Sequence, residues 1–224
     1  MKKETAVILL SGGLDSTTCL FWARKKGYRL VALSIRYGQR HDRELLAARA
    51  VAKKARAPLR EVSLSLPWLS GSSLMNRRLK LPEMPLSRIG RGAIPSSYVP
   101  GRNTIFLALA TSLADSVGAR AIVIGANALD YSGYPDCRPS FLDAFSKAAK
   151  LGTKRGTEKK PLRVLAPLLR LDKKGIVRLA EKVGAPLSLT WSCYAGGSRP
   201  CGRCDSCRLR EKGFREAGVE DPAL

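Results

Sequence analysis

Residues Ser11 to Ser16 read Ser-Gly-Gly-Leu-Asp-Ser and directly follow the apolar run Ala6 to Leu10. A buried strand that empties into a glycine turn and then a helix aims backbone N–H groups and a helix dipole at one small volume. That geometry holds a phosphate or pyrophosphate. Gly12 and Gly13 let the backbone approach an anion with no Cβ in the way. Ser11 and Ser16 add hydroxyl donors. Asp15, an acid beside a phosphate site, has work there only if a cation or a nucleophile is managed too. The residue order is neither Gly-x-x-x-x-Gly-Lys-Ser/Thr nor Gly-x-Gly-x-x-Gly. The alternative reading is a strand–turn–helix whose glycines serve the turn alone.

A second cluster is built from sulfur. Of the six cysteines, Cys193, Cys201, Cys204 and Cys207 crowd into one short stretch, spaced Cys-x7-Cys-x2-Cys-x2-Cys. Clustered cysteines in a chain with no signal-peptide pattern read as metal ligands rather than disulfides. Four thiolates make a closed tetrahedral zinc site, structural because no position is left for water or substrate. An iron–sulfur cluster is the chemical rival. Gly202 permits the tight turn between ligands. Cys19 reads as packing, and Cys137 as either a pocket residue or a small buried hydrophobe.

Two stretches in the middle of the chain also carry chemistry: Tyr98 to Asn103, and Asp130 to Pro139. Arg102 offers a fork of donors for a phosphate or carboxylate. Tyr131 and Tyr134 have faces for a flat heterocycle, and Asp130 and Asp136 accept from ring amine or amide hydrogens. Ordinary turn chemistry is the alternative for each. His41, the only histidine, is a candidate for proton shuttling or for hydrogen bonding at a helix entry.

The elements that must position these residues alternate. The pattern predicts strands at Ala6–Leu10, Arg29–Ile35, Leu59–Leu64, Ala121–Gly125 and Arg163–Leu165. Helices are expected over Thr17–Lys26, Asp42–Ala55 (capped by Asp42), Asn103–Val117, Ser140–Lys150 and Asp172–Val183 (capped by Asp172). Such alternation implies an α/β fold with a parallel sheet flanked by helices and ligands at the strand C-terminal ends. Residues 65–101, with Pro67, Pro82, Pro85, Pro95 and Pro100, break the rhythm and read as a lid loop. Residues 152–160 read as a charged connector. From Thr190 the sequence becomes a cysteine module with a charged tail. The expected division is a nucleotide-binding catalytic domain, 1–187, and a small C-terminal zinc-binding module and tail, 188–224.

The 40 lysines and arginines against 18 acids give a formal charge of +22. That balance invites polyanions. The charges are spread over pairs such as Lys53-Lys54, Arg77-Arg78, Lys159-Lys160 and Lys173-Lys174, which favours a solvated basic surface. No apolar run reaches the ~18 residues of a membrane helix. A cytoplasmic location is expected.

Ser-Gly-Gly-Leu-Asp-Ser resembles the PP-loop of the ATP pyrophosphatases. Together with Thr17-Thr18-Cys19-Leu20, it is similar to the loop of the QueC family of 7-cyano-7-deazaguanine synthases. So are Tyr37 to His41, Val99 to Asn103, Asp130 to Arg138, Thr190 to Cys193 and Pro200 to Cys207. The resemblance implies a Rossmann-like adenine nucleotide α-hydrolase fold and a C–N bond-forming ligase of queuosine biosynthesis. Its substrates would be ATP with Mg²⁺, ammonia and 7-carboxy-7-deazaguanine. Leu10, Ser11, Gly12, Gly13, Leu14, Asp15, Ser16, Thr17, Thr18, Cys19 and Leu20 would form the ATP loop. Asp15, Ser16, His41 and Arg102 would be the catalytic set. Arg102, Asn103, Asp130, Tyr131, Tyr134, Asp136 and Arg138 would line the deazaguanine pocket. The four cysteines would hold one structural zinc, a homodimer would suit the family, and nucleic acid would not be required. The rivals are a PP-loop enzyme that modifies tRNA directly, and a zinc nucleic-acid-binding protein with a vestigial nucleotide fold.

Overall fold

A computed structural model describes residues 3–91, 94–128 and 133–223. Five strands form one parallel sheet: β1 (Thr5–Leu9), β2 (Arg29–Arg36), β3 (Leu59–Ser63), β4 (Ala121–Val123) and β5 (Arg163–Leu165), in the order β3-β2-β1-β4-β5. Register pairs Val7 with Val31 on one side and with Ile122 on the other. β1 is therefore central, and every one of its residues is buried. This is why it reads as an unbroken apolar run rather than an alternation. The strand order reverses beside β1, which opens a crevice at the C-terminal edge of the sheet.

Helices among the described residues include α1 (Leu14–Lys25), α2 (Arg43–Ala55), α3 (Arg102–Ser116), α4 (Pro139–Leu151), α5 (Lys154–Thr157), α6 (Lys173–Val183) and α7 (Asp205–Ala217). Alternate residues of β1 feed two cores. Ala6 and Ile8 pack with Leu20, Phe21, Val51, Ile176, Val177 and Phe214 on one face. Val7 and Leu9 pack with Leu107, Ala110, Ala114 and Leu142 on the other.

Four local expectations change. Helix α1 begins at Leu14, one residue after Gly13, so the loop is shorter than the sequence pattern implied. Asp42 precedes α2 but makes no capping hydrogen bond; its carboxylate pairs with Arg36 at 3.0 Å. Asp172 does cap α6, accepting from the Gly175 N–H at 2.8 Å. The 152–160 connector contains α5, started by the Thr153 hydroxyl. The charged tail is mostly α7, whose polar face hid an apolar stripe ending on Phe214.

Residues 65–101 hold a 3-10 turn at Pro67–Leu69 and are fastened from below by Arg40. Its guanidinium donates to the carbonyls of Ser73 and Leu79, both at 3.1 Å, and of Arg77 at 3.0 Å. Asp205 and Arg208 of α7 fix Met84 from the far side, at 2.7 and 2.9 Å.

Phe214 is 2% exposed. Phe214→Ala should cost about 3–5 kcal/mol of unfolding free energy by urea titration, because it empties core volume under α6. A cost under ~1 kcal/mol would show that α7 is peripheral.

Candidate active site

The turn after β1 is folded by its own side chains. The Ser11 N–H donates to the Ser16 hydroxyl at 3.2 Å, and the Gly13 N–H donates to the Ser11 hydroxyl at 3.3 Å. Gly12 has φ +88°, and a Cβ there would lie 2.4 Å from the Glu44 carbonyl oxygen and 2.5 Å from the Ala48 nitrogen. Its freedom is spent on pressing the turn against α2. Gly13, with φ −75°, starts α1 with no side-chain cap, so the first turn of the helix keeps N–H groups for an anion. On the other side, the Trp191 N–H donates to the Gly12 carbonyl at 3.0 Å.

A cavity of about 260 Å³ opens here, at the C-terminal ends of β1, β2 and β4. Leu10, Ser11, Gly13, Leu14, Asp15 and Ser16 form one wall. Thr17, Thr18, Cys19 and Leu20 turn inward along α1. The Thr18 hydroxyl donates to the Leu14 carbonyl at 2.8 Å, and the Cys19 thiol donates to the Ile124 carbonyl at 3.7 Å. Burial, reinforced by Asp15, raises the Cys19 pKa, so this thiol stays protonated. Asp15 Oδ2 accepts from Lys173 Nζ at 2.6 Å and from Asn127 Nδ2 at 2.8 Å, while its buried Oδ1 has no partner.

The opposite wall carries Tyr37, Gln39, Glu44, Arg102, Asn103, Phe106 and Cys137. Tyr37 meets Phe106 edge to face at 5.2 Å. Desolvation raises the Glu44 carboxyl to about 7, against the opposing pull of Arg102. Burial also raises the Tyr37 phenol, which therefore remains neutral beside Arg102.

Other predicted residues stand elsewhere. The Asp136 carboxylate is buried under α3, where it accepts from the Asn103 backbone N–H at 2.8 Å, and Asn103 Nδ2 donates to Cys137 Sγ at 3.0 Å. Asp136 thus supplies the cap that Gly101 lacks. Tyr134 stacks on Tyr98 at 5.8 Å, and its hydroxyl lies 3.1 Å from that of Ser97. Arg138 is exposed. Asp130 and Tyr131 lie outside the described residues. His41 sits beneath Gly196, where a Cβ would fall 2.3 Å from its ring, and its Nδ1 is buried without a partner. Burial lowers its pKa, with Cys193 and Asp42 opposing.

Sequence reasoning missed Lys173, Asn127, Glu44 and Trp191. Lys173 was counted among the spread surface charges; its side chain is only 19% exposed and bound to Asp15. Its adjacency to the Asp172 cap, which fixes the start of α6 at the sheet edge, was the one usable signal.

The four clustered cysteines bring their sulfurs within 4.8 Å of one another. Cys193 Sγ accepts from the Ala195 and Cys201 N–H groups at 3.4 and 3.3 Å. Hydrogen bonds among the sulfurs lower the pKa of Cys193, which accepts, and raise those of Cys204 and Cys207. A metal ion fits this donor set. Trp191 joins the centre to the loop: its indole N–H donates to the Cys193 carbonyl at 2.9 Å, and Arg43 lies over its ring at 5.5 Å.

The family model for "Queuosine biosynthesis protein QueC" matches residues 5–218. The chain belongs to the QueC family. It is 51% identical over 223 residues to the 7-cyano-7-deazaguanine synthase of an Anaeromyxobacter species, covering 99% of this chain and 96% of that one. It is 52% identical over 222 residues to that of Acinetobacter baylyi, covering 98% and 94%. Among solved structures, NMN synthetase from Francisella tularensis aligns with a TM-score of 0.52 at 16% identity, over 97% of this chain and 79% of that one; the likeness is one of fold.

Two outcomes follow. Gly12→Ala should lower stability by about 2–4 kcal/mol, whereas Gly13→Ala should stay within about 1 kcal/mol, both by urea titration. Equal costs would mean that α2 yields to a side chain at Gly12. The folded state binds the Glu44 proton more tightly than the unfolded chain does. Its contribution therefore turns unfavourable as pH rises from the ordinary 4.5 towards 7. Glu44→Gln should accordingly gain stability over the parent between those values. A pH-independent difference would refute the raised carboxyl.

Proposed function

We propose that the chain converts 7-carboxy-7-deazaguanine and ammonia to 7-cyano-7-deazaguanine with ATP, a step of queuosine biosynthesis. The observation that carries this reading is the near-50% identity to synthases of that name along the whole chain. The cavity supports it, since one wall suits a pyrophosphate and the other a flat polar ring. Direct tRNA modification has no comparable support.

A carboxylate oxygen is a poor leaving group. Its attack on the α-phosphorus of ATP releases pyrophosphate and leaves an acyl adenylate. Ammonia then displaces AMP to form the amide, and a second activation of the amide oxygen allows loss of that oxygen to give the nitrile. In this scheme the N–H groups at the start of α1, with Ser11 and Ser16, hold the pyrophosphate. Lys173 sits where charge builds on the phosphates. Asp15 holds Lys173 in place through Oδ2, and its free Oδ1 suits Mg²⁺, which would offset phosphate charge. Arg102 meets the substrate across the cavity. Asn103 and Asp136 fix the start of α3, and with it Arg102. Tyr134, Asp130, Tyr131 and Arg138 would border the ring from the 129–138 segment. His41 would act from beneath Gly196.

The metal is proposed to be one structural zinc, which would hold Trp191 against the loop. No helix among the described residues is long and apolar enough to cross a membrane. A cytoplasmic homodimer is proposed. Reduced cysteines and ATP use suit that compartment, and exposed Trp68, Met84 and Ile94 offer apolar surface to a second copy.

The test is incubation with MgATP, ammonium and 7-carboxy-7-deazaguanine, with mass detection of the nitrile and AMP. Absence of nitrile, with ATP-dependent change in bulk tRNA instead, would refute the assignment. Cys204→Ser should lose zinc, from about one per chain, together with folding. A folded, metal-free and active variant would remove the structural zinc.

A further inference from the structure

A deazaguanine ring presents three polar groups along one edge: a carbonyl oxygen that accepts, a ring N–H that donates and an amino group that donates. A site that recognises it must answer with one donor and two acceptors. A single carboxylate supplies both acceptors side by side, and a guanidinium supplies the donor.

Two carboxylates line the cavity among the described residues, Asp15 and Glu44. Asp15 is held by Lys173 and Asn127 at the phosphate end. Asp136, which the sequence offered as a ring reader, spends its carboxylate on the Asn103 N–H. Glu44 is different. No described residue hydrogen-bonds or ion-pairs its carboxyl, which opens onto the cavity from the first turn of α2. The Arg102 guanidinium faces the same space from the first turn of α3, and Tyr37 and Phe106 make an apolar wall beside them.

We propose that Glu44 and Arg102 together read the purine-type edge, Glu44 accepting from the ring N–H and the amino group while Arg102 donates to the ring carbonyl. The assignment rests on the deazaguanine reaction proposed above and adds to it the residue that selects the base. An unliganded Glu44 is costly to the fold, because burial disfavours its charge, the pull of Arg102 offsets that only in part, and no hydrogen bond from a described residue reaches its carboxyl. Two N–H donors from the ring supply that compensation. This accounts for an acid at a position where glutamine would cost the fold less. The other occupant a carboxylate could take here is ammonium, which the adjacent Arg102 charge opposes.

The experiment compares wild type and Glu44→Gln on 7-carboxy-7-deazaguanine and on its analogue lacking the 2-amino group. KM is followed separately for the carboxylate, ATP and ammonium. Wild type should prefer the amino substrate by about 100-fold or more in kcat/KM, since a site built for that N–H leaves one carboxylate oxygen unpaired with the analogue. Glu44→Gln should raise KM for the carboxylate about 10-fold, collapse the preference towards unity and leave KM for ATP and ammonium within about 2-fold. Calorimetric binding of the carboxylate without ATP gives the same comparison if turnover is lost. An unchanged preference, or a rise confined to the ammonium KM, would overturn the proposal. Failure of wild type to make nitrile would instead fall on the reaction itself.

Discussion

Gly12 touches both α2 and the cysteine segment, and the site depends on that contact. Its missing Cβ lets the turn lie flush on α2, where a side chain's Cβ would fall 2.4 Å from the Glu44 carbonyl oxygen. Its carbonyl receives the Trp191 N–H. The same residue therefore sets where α1 starts, where the side chain of Glu44 enters the cavity and where the cysteine segment lands. Close packing of this kind propagates displacement rather than absorbing it. A shift of the turn would move both walls of the cavity together.

The glycine turn was legible because its geometry is local. Strand, glycine turn and helix are consecutive, so the sequence order of Ala6 to Ser16 is also the spatial order. The cysteine quartet was legible for the same reason. Lys173, Asn127 and Glu44 were not. Lys173 reaches Asp15 from α6 across the sheet edge, and only the β3-β2-β1-β4-β5 order brings them together. Glu44 carries no sequence signal that sets it apart from the other charges of α2, and only the fold turns it to the cavity. Asp136 looked like a ligand group, but the N–H it satisfies belongs to a helix more than thirty residues earlier in the chain. Helix α7 was hidden because its apolar stripe is narrow and its polar face dense.

The charge balance also takes on a shape. A chain with a formal charge of +22 places acids where they govern the cavity: Asp15 holds Lys173, and Glu44 faces Arg102. The general positive field draws in anionic ligands.

The hydrogen bond between Trp191 and Gly12 has a consequence for synthesis. Trp191 follows Gly12 by 179 positions, so the loop leaves the ribosome well before its closing partner. At roughly 5–20 residues per second, tens of seconds separate them. Until then the glycine turn has no cover on the side that the cysteine segment will occupy. Helix α7, whose Phe214 seals the core beneath α6, emerges later still. Between the emergence of Gly12 and that of Trp191, the nascent chain carries the glycine turn without the Trp191 hydrogen bond that closes it in the folded protein.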